Sequence, residues 1–136
     1  MQWTDSRSAV ARVRAAERRK VALLLGAAQQ ALLSGRTDLA DKYFAQAERA
    51  SEQEQALGEM ARTLRWMGWH AWFYEAALGP FRLTVVQSTP GGKWSAVVYE
   101  GERVVARTGE DFASAAQAQE EAISLALAVR GEQMAA

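Results

Sequence analysis

At 136 residues the chain has the length of one domain, enough to bury a core without covalent staples. It has no cysteine, which excludes disulfides, thiolate nucleophiles and thiolate metal sites together and fits a reducing compartment. Its 16 basic and 16 acidic residues cancel overall but not locally: Arg7, Arg12, Arg14, Arg18, Arg19 and Lys20 are opposed near the N-terminus only by Asp5 and Glu17.

In chain order, Asp5 or Ser6 is placed to cap a first helix running to Leu33. Its inward stripe is Val10, Val13, Val21, Leu24, Ala28 and Leu32. Ser34-Gly35 ends it, and Thr37 or Asp38 opens a second helix with Leu39, Ala40, Tyr43, Phe44 and Ala47 inward. Ser51-Glu-Gln-Glu54 has the form of a capping box, so a break is expected near Ser51. The alternative is one helix from 38 to 78. A third helix, Glu52 to Leu78, carries Trp66, Trp69, Trp72 and Phe73 around most of its circumference and stops at Gly79-Pro80.

From Phe81 the pattern changes to alternation. Phe81, Leu83 and Val85 face one way, against Arg82, Thr84 and Val86. Thr89-Pro-Gly-Gly92 is a turn, Lys93 to Glu100 a second strand, and Gly101 a tight hairpin into a third strand, Glu102 to Arg107. Ser114 caps a last helix ending near Val129, with Ala118, Ala122, Leu125 and Ala126 inward and Gly131 as its stop. The expected fold is therefore α+β, in the order α-α-α-β-β-β-α: a helical hairpin and a long aromatic helix, then a three-stranded antiparallel sheet covered by the C-terminal helix. Residues 1–79 form the helical region, 80–131 the βββα region packed on it as one unit, and 132–136 a loose tail.

Residues 21–50 resemble a single tetratricopeptide (TPR) helical hairpin, with Gly35 at the turn and Ala40, Phe44 and Ala47 at the packing positions of the second helix. The resemblance implies two antiparallel helices in close contact. It does not bring a peptide groove, because one repeat cannot build the continuous core of an array. The order from the third expected helix onward is similar to that of a double-stranded RNA-binding domain. That family clamps phosphate with lysines at the start of its last helix, where this chain has Ser114-Ala-Ala-Gln-Ala-Gln119 and two glutamates.

No catalytic, cofactor-binding or metal-ligating set is assigned. His70 is the only histidine, the acidic pairs lack the spacing of a calcium loop, and Gly91-Gly-Lys93 lacks the earlier glycine and following hydroxyl of a phosphate loop. Two surfaces stand out. Trp66, Trp69, Trp72 and Phe73 are of the types enriched at binding hot spots, and they fit the protein's own core, a dimer seam or a partner surface. Arg7, Arg12, Arg14, Arg18, Arg19 and Lys20 offer a basic helix face to phosphates. The favoured reading is a non-enzymatic interaction or regulatory protein, homodimeric through the aromatic segment, with an inhibitor of a host system as one form of it. The alternative is a nucleic-acid accessory protein using the basic helix. The Ala- and Arg-rich composition fits a bacterial or phage origin. No secretory signal is recognised and the apolar run from Val21 is too short to span a bilayer, so a cytoplasmic location without membrane contact is expected.

Overall fold

The computed structural model describes residues 2–4 and 7–135, and the side chains of 7–134; the expected caps Asp5 and Ser6 lie outside the described residues. The chain runs β1 (Gln2–Thr4), α1 (Arg7–Leu33), α2 (Thr37–Met60), a single 3-10 turn (Ala61–Thr63), β2 (Trp66–His70), β3 (Phe73–Leu78), β4 (Phe81–Gln87), β5 (Trp94–Glu100), β6 (Arg103–Arg107) and α3 (Ala115–Ala135). All six strands form one antiparallel sheet in sequence order, β1-β2-β3-β4-β5-β6. The mixed α+β character and the helical hairpin agree with the sequence reading. The expected third helix and three-stranded sheet do not.

Trp66 to Leu78 is a strand pair and not a helix, so five strands follow the hairpin where three were expected, and β1 adds a sixth. The physical reason lies in the aromatics. Trp, Phe and Tyr favour a pleated, half-buried surface, and residues that look like a girdle at 100° per residue sort cleanly at 180°. Tyr74, Ala76 and Leu78 lie toward the core, whereas Phe73, Glu75 and Ala77 lie on the opposite face. The helix-to-strand switch therefore comes after Thr63, not at Gly79-Pro80, which instead forms the β3–β4 turn.

The Ser51 capping box is overridden as well. α2 runs unbroken through Ser51, because Ala47, Ala50 and Leu57 continue one buried stripe across it. At the other end, α3 passes through Gly131 to Ala135. Ser114 does cap α3, accepting from Gln117 N at 3.2 Å while Gln117 Oε1 accepts from Ala113 N at 3.1 Å.

The core lies between the sheet and α3, which packs chiefly on β4 and β5. Trp66, Leu78, Phe81, Leu83, Val85, Trp94, Ala96 and Val98 face Ala118, Ala122, Ile123, Ala126 and Leu127. The alanines let the helix sit close to the strands. Ala9 and Val13 of α1 and Leu57 of α2 close the margin of this core. The rest of the hairpin has a separate seam: Ala28, Ala31, Ala40, Ala47 and Ala50 are buried, yet none belongs to the main core. Leu32 and Phe44, both expected to face inward, are instead exposed, because the helices approach along their alanines.

Candidate functional site

The sheet places one aromatic cluster where solvent can reach it. β2 and β3 are joined by the two-residue turn Ala71–Trp72, and their register slips between Gly68 and His70, leaving Trp69 without a cross-strand partner. Such a bulge twists the strand locally and re-aims a side chain; Trp69 is 48% exposed. Trp72, in the turn, is 49% exposed. Its indole lies parallel to the His70 imidazole, with ring centroids 4.8 Å apart and 3° between planes, and Phe73 meets it edge-on at 6.1 Å.

This end is held by the main chain. Gln87 N donates to Trp72 O at 2.9 Å, tying the β2–β3 turn to β4, and Gln87 Nε2 donates to Gly92 O at 2.7 Å, tying β4 to the next loop. Gly92 N donates to Thr89 O at 2.9 Å, so the Thr89–Gly92 turn forms where expected. Between the two loops opens a depression of about 460 Å³ lined by Ala71, Trp72, Val86, Gln87, Pro90 and Gly91, with Ser88 at its rim. Its walls are apolar apart from Gln87 and Ser88. An open aromatic ledge beside such a depression suits docking of an apolar or aromatic group from a partner.

Of the other expected site residues, Phe73 joins this cluster through its edge contact with Trp72, whereas Trp66 separates from it. Trp66 is wholly buried in the core, so it cannot be part of a surface seam. Phe73 is half-buried on the uncovered face of the sheet, the face that also carries Arg82 stacked 4.2 Å over the Tyr99 ring and 3.8 Å from Glu75.

The basic residues of α1 are largely engaged within the fold. Arg12 Nε donates to Glu120 of α3 at 2.7 Å. Arg14 Nε and Arg18 Nη2 both reach Glu54 Oε1 of α2, at 2.8 and 2.9 Å. Burial acts to raise the Glu54 pKa; the Arg14 hydrogen bond and the charges of Arg14 and Arg18 outweigh it and hold the carboxyl below its ordinary value. Arg7 also makes a contact. Arg19 and Lys20 are exposed, and Lys20 borders a groove of about 540 Å³ between the three helices. Among the described residues no three His, Asp or Glu side chains are grouped to hold a metal ion, and no helix is long and apolar enough to cross a membrane.

Leu23, Leu25 and Leu33, which the sequence reading did not single out, stand exposed on the hairpin beside Leu32 and Phe44, with Leu33 82% accessible. The available signal was excess: α1 has more large apolar residues than one stripe needs. Scans against family models and searches of curated proteins and of solved structures return no match to this chain.

Proposed function

We propose that this chain is a non-enzymatic binding module that docks a protein partner through the aromatic end of its sheet. The observation that carries this reading is Trp72, half-exposed on a main-chain-braced turn and lining an apolar depression, with Trp69 half-exposed at the adjoining bulge of β2. Large rings held in place before binding lose little conformational freedom when a partner covers them, which is why Trp dominates interface energetics. A regulatory or inhibitory role, in the bacterial or phage setting that the composition suggests, would use this same surface. A homodimer stays part of the reading, with its seam moved off the tryptophans, since Trp66 belongs to the core and residues 66–78 form no helix to cross a twofold axis.

The nucleic-acid alternative has less support. Counterion release needs free cations, and Arg12, Arg14 and Arg18 already face carboxylates.

The test is a titration of the full chain with a partner purified after capture on it, following tryptophan emission and amide exchange. Protection of residues 69–73 and 86–91, and affinity at least about tenfold weaker for Trp72→Ala, support the reading. Protection confined to other residues, or unchanged affinity in Trp72→Ala and Trp69→Ala alike, rejects it. A mobility shift of arbitrary DNA at low salt that disappears in Arg19→Gln/Lys20→Gln would favour the alternative.

A further inference from the structure

The α1–α2 hairpin extends beyond the point where α3 supports it. The last helix flanks the hairpin as far as Lys20 and Gln46, which line the groove shared with Met134. Past that level α1 continues for about three and a half turns, rising by about 20 Å from Val21 to Leu33. In this distal part Ala28, Ala31 and Ala40 are buried and Leu24, Leu39 and Tyr43 half-buried, while Leu23, Leu25, Leu32, Leu33 and Phe44 remain exposed. Leu25 and Leu32 are seven residues apart and so share one stripe of α1. A seam of this kind removes little apolar surface, and Leu25, Leu32 and Phe44, left outside it on one side of the hairpin with Leu33 at the helix end, make an apolar patch of the kind that marks interaction sites.

The charges indicate what covers it. The distal hairpin carries Arg36 and Lys42 against Asp38 and Asp41. All four are exposed, and none has an ion-pair partner among the described residues. A strongly acidic or basic partner would meet one pair favourably and the other unfavourably. A second copy related by a twofold axis can set Arg36, at the hairpin turn, against the other copy's Asp41, which lies one helical turn from Phe44, because an isologous contact brings the same patch to itself.

We propose that the distal ends of two hairpins pack side by side as a four-helix bundle, making the chain a homodimer through Leu25, Leu32, Leu33 and Phe44. Four helices enclose an apolar centre that two cannot, with the leucines in the role that the alanines play within each hairpin. This contact is separate from the aromatic end, so the dimer presents two copies of that ledge.

Light scattering on the full chain from sub-micromolar to high micromolar concentration tests the proposal. The expected result is a species of twice the 14.9 kDa chain mass at low micromolar concentration. Leu32→Glu/Leu33→Glu, with its helical circular dichroism intact, should weaken association at least about a hundredfold. Trp72→Ala should remain dimeric. A wild-type monomer throughout the range, or a Leu32→Glu/Leu33→Glu variant as dimeric as wild type, overturns the proposal. So does loss of the dimer in Trp72→Ala, which would place the seam at the aromatic end.

Discussion

Trp66 closes the sheet side of the core with its indole fully out of water, and its Nε1–H has no acceptor among the described residues. A buried donor left unpaired costs about 1–3 kcal/mol, which offsets part of what burying the ring contributes. Trp66→Phe removes the donor and keeps most of the apolar volume, so it should cost less than about 2 kcal/mol in urea denaturation, whereas Trp66→Ala should cost about 3–5 kcal/mol. Similar losses in the two variants would show that the indole N–H contributes to stability. The Glu54 carboxylate makes a second prediction at this scale. Its pKa is lowered on folding, so its ion pairs with Arg14 and Arg18 contribute stability that is complete above the unfolded carboxyl pKa. That contribution is lost as pH falls through the lower, folded value. Wild-type stability should therefore drop more steeply than that of Glu54→Gln from about pH 5 downward. Parallel pH profiles for the two proteins would mean that the carboxylate gains nothing from its arginines.

Among the elements, the β3–β4 hairpin depends on Gly79. Its φ is +58°, and a Cβ there would lie 2.5 Å from Met60 Sδ at the end of α2. The β5–β6 turn offers an internal control, since Gly101 has φ +64° but open space where a Cβ would stand. Gly101→Ala should cost only the left-handed strain, about 1–2 kcal/mol. Gly79→Ala should cost more, because Met60 must also move; equal thermal shifts would show that Met60 yields freely. The same hairpin shows why sequence periodicity failed between 66 and 78. Gly79-Pro80 was legible as a stop, but a stop suits the end of a strand as well as the end of a helix. Ala76, Ala77 and Leu78 are good helix formers, and only the partners Leu83, Arg82 and Phe81 across the ladder make them β-structure. The β4–β5 ladder was legible because alternation there is strict and its turn has proline and glycine.

For the whole molecule, two ends carry apolar surface: the aromatic ledge on the sheet and the leucines of the distal hairpin. The tryptophans report which of them is covered by self-association. Trp66 and Trp94 are buried, whereas Trp69 and Trp72 are about half exposed. In a Trp3→Phe background, acrylamide should quench a large part of the emission at concentrations where the chain is dimeric. Adding Trp69→Phe/Trp72→Phe should remove most of that quenchable part. Emission that becomes shielded as the concentration rises through the association range would instead place the ledge within the dimer.

The sequence by itself determined what local chemistry can specify: the hairpin turn at Gly35, the strands from Phe81 to Arg107, the capped α3, and the absence of cysteine chemistry. It also marked Trp69 and Trp72 as residues of interest. Tertiary structure decided the rest. Whether an aromatic run pleats or coils depends on partners far along the chain, and Trp66 went to the core while Trp69, three residues on, went to water at a bulge. Three arginines of α1, Arg12, Arg14 and Arg18, pair with Glu54 and Glu120 from two other helices, partners that no local pattern in the sequence shows. Helical periodicity places apolar residues on faces, but whether alanines or leucines form the seam depends on how closely two helices approach, and no local pattern encodes that distance.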